Sequence, residues 1–206
     1  MPPATLQIDN LECQRGDRIL FSGLNFTVQI GQLLLVEGEN GAGKTSLLRL
    51  LCGLSWPADG DVLWRSESIF HQRSIFCGEM AYVGHHGGVK LDLTALENLA
   101  AACAMRQPRA LAEMENTLYE VGLNGLEDVP VRRLSAGQKQ RLVLARLLLS
   151  GAVLWILDEP FTTLDVDGIT LVSRLLERHA ASGGLAVLTS HQPVDLNTCV
   201  ERLRLA

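Results

Sequence analysis

Residues 33–51 read LLLVEGENGAGKTSLLRLL, which is an apolar run, a glycine-rich turn and a second apolar run. Leu33–Val36 are apolar throughout, which is typical of a strand buried on both faces of a parallel sheet. The leucines after the turn have helical spacing, and Gly53 is placed to end that helix. A glycine-rich turn between a buried strand and a helix is the context that a phosphate-binding loop requires.

The turn also carries the residue types that bind a nucleoside triphosphate. Glycines let backbone N–H groups face phosphate oxygens, and the helix N-terminus adds a positive dipole end. Lys44 is expected to reach the β- and γ-phosphates of ATP, and the Thr45 hydroxyl to ligate Mg2+. The alternative, a turn that only caps a helix, is disfavoured by the complete pattern and its flanks. The predicted ATP-binding residues are Gly38, Glu39, Asn40, Gly41, Ala42, Gly43, Lys44, Thr45 and Ser46.

A second apolar run, Val153–Leu157, ends in the acidic pair Asp158 and Glu159. The carboxyl ends of parallel strands line the crevice in which ligands bind. Asp158 is therefore predicted to hold Mg2+, directly or through water, and Glu159 to orient or deprotonate the attacking water. An acidic pair after a strand is weak evidence alone and is more often a solvated strand end. With the phosphate-binding loop upstream, we interpret it as a Walker B site.

The remaining pattern predicts more strands and a helical segment. Leu24–Ile30 alternates apolar and polar residues, which predicts a half-buried antiparallel strand, and Leu185–Leu188 predicts another fully buried strand. Helices are expected after a capping box formed by Thr94 and Glu97, along an apolar face that starts at Leu111, and near Gln138. They are expected to end at Met105, before Gly122 and at Leu149.

The predicted fold class is α/β, with a mostly parallel sheet, in a single domain over 1–206. The α/β core is expected in 1–85 and 151–206, with an antiparallel β part near the N-terminus and a helical subdomain over about 86–150. A length of 206 residues, of which 47% are hydrophobic, suits one folded domain.

Composition disfavours several functional classes. The net charge of −5 and the lack of a dense basic run predict no nucleic-acid partner. No signal peptide is recognisable, and no apolar run is long enough to cross a bilayer. If the protein acts at a membrane, a partner protein is expected to supply the membrane-spanning segments. The five cysteines are scattered without a CxxC pair. They are interpreted as buried apolar residues in a reducing compartment rather than as metal ligands.

The stretch Leu134-Ser-Ala-Gly-Gln138 resembles the signature sequence of ATP-binding cassette (ABC) proteins. It is a second helix start rich in hydrogen-bond donors, and an ordinary helix cap is the alternative interpretation. The resemblance extends from about Leu6 to Leu205. It implies a P-loop ATPase that binds ATP and Mg2+ and closes as a two-fold self-dimer around two nucleotides. In that dimer the γ-phosphate held by one copy would meet Ser135, Ala136, Gly137 and Gln138 of the other.

The same resemblance assigns roles to three further residues. Asp165 is expected in the D-loop, which crosses the dimer interface. His191 is expected to contact the γ-phosphate as the switch histidine, and it completes the catalytic pair with Glu159. A lone histidine after a strand is usually only a surface residue. The place of His191, at the end of the strand that follows Walker B, supports a functional role instead.

Two positions depart from the family pattern. His85 stands at the Q-loop position, where the family usually has glutamine, and its contact with Mg2+-bound water would depend on pH. A metal or haem site at His85 and His86 is disfavoured because adjacent residues seldom point at one centre. Arg15 stands where an aromatic residue usually stacks on adenine. Stacking by its planar guanidinium and a loosely held base both remain open.

Within the ABC proteins, the sequence is most similar to the CcmA family, the haem-exporter ATPases of cytochrome c maturation. The residues that carry this resemblance are 83–90, 93–99, 134–138, 155–162 and 188–193. It implies a peripheral ATPase at the cytoplasmic face of the bacterial inner membrane that powers haem export or release of the haem chaperone in c-type cytochrome biogenesis. The implied partners are CcmB/CcmC-like permease subunits, and no direct haem contact is expected. The leucines at 91, 93, 96 and 99 either line a groove for the permease or, as is expected for most of them, form core.

Three alternatives belong to other functional classes. An ATPase subunit of a drug or lipid exporter would carry the same motifs. A small P-loop kinase would explain Lys44 and Asp158 but not Ser135 or His191. A DNA-repair or ribosome-associated cassette would need a long insertion or a second cassette, for which 206 residues leave no room.

Overall fold

The computed structural model describes residues 3–85, 87–191, 196 and 198–205, and these residues form two β-sheets and six α-helices. The strands described are β1 (Thr5–Arg15), β2 (Arg18–Gln29), β3 (Leu33–Glu37), β4 (Asp59–Trp64), β5 (Glu67–Ser68), β6 (Met80–Val83), β7 (Leu154–Leu157), β8 (Leu185–Thr189) and β9 (Val200–Arg204). The helices are α1 (Lys44–Leu51), α2 (Arg73–Glu79), α3 (Ala95–Ala104), α4 (Leu111–Glu120), α5 (Ala136–Leu149) and α6 (Val166–Ala181), with a 3₁₀ turn at Val131–Arg133.

A parallel sheet with the strand order β6-β7-β8-β3-β9 forms the centre of the fold. Its side chains alternate between two hydrophobic cores, since Leu33 and Leu35 pack with α3 to α6 while Leu34 and Val36 pack with α1 and the antiparallel sheet. Successive residues of a strand point to opposite faces of the sheet. Helices α1 and α5 therefore lie on opposite faces.

An antiparallel sheet with the order β2-β1-β4-β5 covers the α1 side of the molecule. Strands β1 and β2 form a hairpin that pairs Thr5 with Gln29 at one end and Arg15 with Arg18 at the other. This confirms the predicted combination of a parallel core with an antiparallel part near the N-terminus.

The helix ends that local signals predicted are confirmed. In the capping box of α3, the Thr94 hydroxyl accepts a hydrogen bond from the Glu97 N–H at 3.1 Å, and the Glu97 carboxylate accepts one from the Thr94 N–H at 2.8 Å. Helices α1 and α4 each end at a glycine in a left-handed conformation, Gly53 with φ 65° and Gly122 with φ 74°. Glycine is favoured there because it has no Cβ.

Several expectations differ from the structure. The strand expected over Leu24–Ile30 is the second half of the longer β2, and α5 begins at Ala136 rather than near Gln138 because Ser135 is its cap. The expectation that all cysteines are buried is wrong, because Cys77 and Cys199 are exposed. The elements that the sequence did not predict are β1, β4, β5, β6, β9, α2 and α6.

The leucines that follow the Q-loop position divide between core and surface. Leu99 is fully buried, Leu96 is partly buried against the helical core, and Leu91 is 52% exposed. The core interpretation is therefore right for Leu99, while Leu91 presents its side chain to solvent. No helix among the described residues has the length and apolarity that crossing a bilayer would require.

A partly buried histidine, His179, joins α6 to the start of β7. The His179 ring stacks on Trp155 with centroids 3.8 Å apart and an interplanar angle of 9°. Its Nε2 lies 3.0 Å from the Val153 carbonyl oxygen, which makes Nε2–H the donor. Burial lowers the pKa of His179 below its usual value, because the charged ring would lose its hydration.

This lowered pKa predicts a loss of stability in mild acid. An unfolded histidine binds a proton below about pH 6.5, whereas folded His179 stays neutral to lower pH, so the free energy of unfolding should fall as the pH drops below about 6.5. We expect His179→Gln to flatten this dependence in urea unfolding curves measured between about pH 7 and 5. The exposed His71, changed to Gln, is the matched control and should keep the parent slope. An unchanged slope in His179→Gln would contradict the assignment.

Candidate functional site

Three glycines shape the loop between β3 and α1. Gly38, Gly41 and Gly43 have φ values of 152°, 89° and 100°, a region of backbone conformation that side chains with a Cβ rarely adopt. A Cβ on Gly38 would lie 2.8 Å from the Leu205 carbonyl oxygen, so glycine is required for the close contact with the residue after β9. Beside the Cβ position of Gly41 there is open space, with no atom within 4 Å. The backbone of the loop is therefore open on this side.

Lys44 is held inside this loop. Its side chain is buried, with only 8% of the residue exposed, and Nζ donates hydrogen bonds to the carbonyl oxygens of Gly38 at 2.7 Å and Glu39 at 3.1 Å. The first turn of α1 contains no acidic residue, so nothing in it offsets the positive end of the helix dipole. An ammonium group and a helix N-terminus at one place favour phosphate oxygens as the ligand.

The acidic pair lies at the end of β7, as predicted. Asp158 is 6% exposed, and its N–H bonds the Val83 carbonyl of β6 at 2.8 Å. The Thr189 hydroxyl, fully buried at the end of β8, donates to Asp158 Oδ1 at 2.9 Å and accepts from the Glu159 N–H at 2.9 Å. One hydroxyl thus fixes both the carboxylate of one residue and the backbone of the next.

A role for Thr189 was missed in the sequence, where it is only the residue that follows the apolar run Leu185–Leu188. The available signal was its position two residues before His191, at the carboxyl end of the strand that pairs with β7. Residues at that edge of adjacent parallel strands converge on the ligand crevice.

The structure brings together Glu159 and His191, the two residues predicted to be catalytic. His191 Nε2 lies 3.2 Å from Glu159 Oε1, and the His191 N–H donates to Glu159 Oε2 at 3.2 Å. The Glu159 side chain is 15% exposed, and its backbone has φ 56°, which is uncommon for a residue with a side chain. A strained backbone that hydrogen bonds hold in place is characteristic of functional sites. The pair can position a water molecule and contact a transferring phosphate group.

The residues predicted to hold Mg2+ fit that ion. Mg2+ takes hydroxyl and carboxylate oxygens, usually from only one or two carboxylates, together with substrate phosphates and water. Asp158 offers a buried carboxylate and Thr45 an exposed hydroxyl at the start of α1. Among the described residues, no cluster of three or more His, Cys, Asp or Glu side chains could hold a metal without a substrate. Thr45 and Asp158 are the residues that would hold Mg2+ beside a bound phosphate.

The signature stretch forms the predicted helix start. The Ser135 hydroxyl accepts from the Gln138 N–H at 3.1 Å, and the Gln138 side chain accepts from the Ser135 N–H at 2.9 Å. Ser135 and Ala136 are exposed, and the first turn of α5 contains no acidic residue. The amides of Ala136 and Gly137 come before the first intrahelical donor, Lys139, so they point out of the helix end. This surface can accept an anion.

The signature helix is attached to the segment that follows Glu159. Gln140 Nε2 donates to the Pro160 carbonyl oxygen at 3.1 Å, and an Arg141 nitrogen lies 3.5 Å from Asp165 Oδ1. Asp165 Oδ1 also accepts from the Gly168 N–H at 2.8 Å and caps α6. The structure thus gives Asp165 a local role, while its predicted place in a dimer interface stays a prediction.

The remaining predicted residues lie at the rim. His85 is exposed, two residues after β6, whose Val83 pairs with Leu157 of β7, so it follows the strand next to Asp158. His86 and the predicted Gln192 and Pro193 lie outside the described residues. Arg15 is exposed opposite Arg18 at the tip of the β1–β2 hairpin. Ser46 hydrogen-bonds the Cys13 thiol of β1.

Comparisons with known proteins agree with this geometry. The family model described as ABC transporter matches residues 21–162. The cytochrome c biogenesis ATP-binding export protein CcmA of Methylococcus capsulatus is 56% identical over 207 residues, which is 100% of both chains. The protein of the same name from Nitrosospira multiformis is 47% identical over 98% of both chains.

Solved structures share the fold at lower identity. An ATP-binding ABC transporter protein from Pyrococcus furiosus has a TM-score of 0.85 at 22% identity, over 98% of this chain and 97% of that chain. An ATP-binding subunit of an ABC transporter has a TM-score of 0.81 at 24% identity, over 90% of this chain and 79% of that chain. These two similarities show the fold alone.

The Thr189 contacts predict a loss of activity without a loss of nucleotide binding. Thr189→Val keeps the side-chain shape but removes the hydrogen bonds that the hydroxyl makes with Asp158 Oδ1 and the Glu159 N–H. A buried polar group that loses its hydrogen-bond partner costs about 1–3 kcal/mol of stability. We expect phosphate release from MgATP to slow by about tenfold or more, while the Kd of a non-hydrolysable analogue stays near that of the parent. Thr189→Ser keeps the hydroxyl and is the control. Equal rates for Thr189→Val and the parent would show that the hydroxyl does not position Glu159.

Proposed function

Because the chain belongs to the ABC transporter family and is an ATPase subunit of the CcmA type, we propose that its ATP hydrolysis powers haem export for the biogenesis of c-type cytochromes. The observation that carries the chemistry is the Asp158, Glu159, Thr189 and His191 cluster at the end of β7 and β8, next to the phosphate-binding loop. The names of the aligned relatives, which cover the chain almost completely, support the biological process.

The geometry supports an in-line attack of water on the γ-phosphate. The N–H groups of the glycine loop and the Lys44 ammonium would bind the β- and γ-phosphates and neutralise charge that develops during transfer. Glu159 would accept a hydrogen bond from the attacking water and orient it. His191, which Glu159 contacts through both carboxylate oxygens, would be aimed at a γ-phosphate oxygen. Thr45 and Asp158 would hold Mg2+, which would offset the negative charge of the phosphates.

The position of the signature helix supports a dimer. Helix α5 packs on the face of the parallel sheet opposite to α1, so the helix start at Ser135 and the phosphate-binding loop belong to different sides of one chain. A second copy related by a two-fold axis would place each Ser135 against the nucleotide of its twin. The exposed hydroxyl and amides of the helix start would then meet the γ-phosphate.

The family assignment supports a proposal for the membrane partners. We place the chain at the cytoplasmic face of the bacterial inner membrane, bound to CcmB/CcmC-like permease subunits that supply the spans. The exposed Leu91, close in sequence to His85, is a candidate contact with them. Haem would be handled by these partners.

The proposed role of Glu159 predicts a variant that binds but does not hydrolyse. Glu159→Gln should keep the affinity for MgATP and accumulate as a dimer, while phosphate release falls by about 100-fold or more, because general-base contributions are of that size. Light scattering with and without MgATP measures the dimer. The exposed Glu115 on α4, changed to Gln, should behave as the parent does.

The same variant tests the biological process in cells. A strain without this gene should lack holo c-type cytochromes, detected by haem staining, and the parent gene but not Glu159→Gln should restore them. Restoration by Glu159→Gln would contradict a role for hydrolysis in haem export. Normal cytochromes in the deletion strain would point to another exported substrate.

The dimer predicts complementation between two inactive variants. Ser135→Arg should abolish most hydrolysis, because the bulky cation blocks the γ-phosphate contact in trans, while ATP binding by the monomer stays within about threefold of the parent. Lys44→Ala should be inactive because its phosphate-binding loop lacks the ammonium group that is proposed to bind the β- and γ-phosphates. A mixture of the two should regain hydrolysis, since one site then combines an intact loop with an intact signature. A mixture that stays inactive, or a large loss of monomer affinity in Ser135→Arg, would contradict a signature that acts on the neighbouring chain.

A further inference from the structure

A cavity of about 310 Å³ lies where strands β7 and β8 begin and helices α5 and α6 end. Trp155 and His179 line it together with apolar side chains such as Leu175. Its volume is at the lower end of the range that is typical of small-molecule sites, about 300–1,000 Å³. A strand rises about 3.3 Å per residue, so Val153 in this cavity is about 16 Å from Asp158 at the other end of β7. We call it the β7-entry cavity, and it is separate from the proposed nucleotide site.

Two hydrogen-bond donors on or beside the wall of this cavity have no partner. Over the part of the chain that the structure describes, only two buried side-chain nitrogen or oxygen atoms lack one, Trp155 Nε1 and Arg109 Nε. Another nitrogen of Arg109 lies 3.2 Å from the position of a Cβ on Gly151, and Gly151 lines the cavity. Buried N–H groups are nearly always paired, so these two favour a ligand that supplies acceptor oxygens.

The Trp155 indole is held rigidly. It is only 4% exposed, and the His179 ring stacks on it with centroids 3.8 Å apart. His179 is fixed in turn, because its Nε2–H donates to the Val153 carbonyl oxygen and its ring packs directly on the backbone of Gly184, where a Cβ would lie 2.3 Å away. The indole therefore cannot turn toward another partner, and its N–H is preorganised for a ligand.

The helix ends beside the cavity are already satisfied. The last carbonyl groups of a helix carry partial negative charge and usually favour cations. Here the His179 carbonyl oxygen of α6 accepts from the Gly184 N–H at 2.9 Å, and the Leu147 carbonyl oxygen of α5 accepts from the Ser150 N–H at 3.2 Å. The unpaired donors, rather than these carbonyls, therefore decide which ligand fits.

Two guanidinium groups bring positive charge to the same place. Arg178 lines the cavity, and Arg109 lies against its wall. Each binds one glutamate through one nitrogen, Arg109 with Glu113 and Arg178 with Glu120. A guanidinium carries five N–H donors, so each arginine keeps donors for a further acceptor.

We propose that the β7-entry cavity binds a small carboxylate with an apolar body, whose oxygen accepts a hydrogen bond from the Trp155 indole and whose body packs against Leu175. The inference does not depend on the proposed hydrolysis of ATP. Because the cavity and the acidic pair lie at opposite ends of β7, MgATP should not compete with the ligand.

The three tryptophans give a direct test, because each contributes one indole N–H signal to a proton–nitrogen correlation spectrum. Trp64 Nε1 already donates to Glu79 at 2.6 Å, and Trp56 is 72% exposed. Titration of the full chain with benzoate should shift the Trp155 signal alone, with a Kd of about 1 mM, as is usual for so small a ligand. Benzylamine, a cation of the same shape, should leave all three signals unchanged.

Three variants complete the design. Trp155→Phe keeps an aromatic ring but removes the N–H, so it should weaken benzoate by about tenfold, the contribution of one hydrogen bond to a charged group. Saturation-transfer NMR on benzoate measures this affinity. Trp56→Phe is the matched control and should bind as the parent does. Ser182 is exposed and lines the cavity, so Ser182→Phe should block benzoate as well and keeps the test decisive if Trp155→Phe folds poorly.

Several outcomes would contradict the inference. A Trp155 signal that benzoate does not move would show that the carboxylate does not reach the indole, and equal shifts of all three signals would show non-specific binding. A preference for benzylamine would mean that the helix ends select the ligand. Parent-like benzoate affinity in Trp155→Phe and Ser182→Phe, or competition by MgATP, would place benzoate elsewhere. Failure of the parent to bind MgATP would overturn the proposed function and leave this site standing.

Discussion

The hydroxyl of Thr189 joins the two halves of the catalytic edge, and the rest of the site depends on it. It donates to Asp158 and accepts from the backbone of Glu159, so it positions both the carboxylate proposed to hold Mg2+ and the residue proposed to orient water. This contact exists because β7 and β8 are neighbours in register, with Leu157 beside Leu188. A fully buried parallel sheet is rigid enough to hold that register, since its strands are packed on both faces.

The same edge is connected to the signature helix. Gln140 bonds the carbonyl of Pro160, the residue after Glu159, and Arg141 approaches Asp165 at the cap of α6. In the proposed dimer, the start of this helix touches the nucleotide of the twin. A shift of the helix on binding that nucleotide would therefore be transmitted to the segment that carries the chain's own Glu159. This hydrogen bond and this ion pair give a physical route by which nucleotide binding at one site can affect the other site.

Local chemistry explains which parts of this fold could be predicted from the sequence. The glycine-rich turn between β3 and α1 and the capping box at Thr94 are each complete within a few consecutive residues, and both form where they were predicted. Strands β1 and β4 pair residues that are far apart in sequence, such as Leu6 with Trp64, so no local pattern reveals them. Thr189 was missed for the same reason, because its role arises only when β8 lies beside β7.

Gly43 shows how the phosphate-binding loop and the antiparallel sheet constrain one position. Its φ of 100° lies in a region that any residue with a Cβ adopts only with strain. A Cβ on this residue would also lie 3.3 Å from Leu20 and from the ring of Phe21, both on β2. A side chain at Gly43 would therefore disturb the conformation of the loop and its packing against β2 together. In this way the antiparallel sheet, which carries none of the proposed catalytic groups, supports the loop that is proposed to bind phosphate.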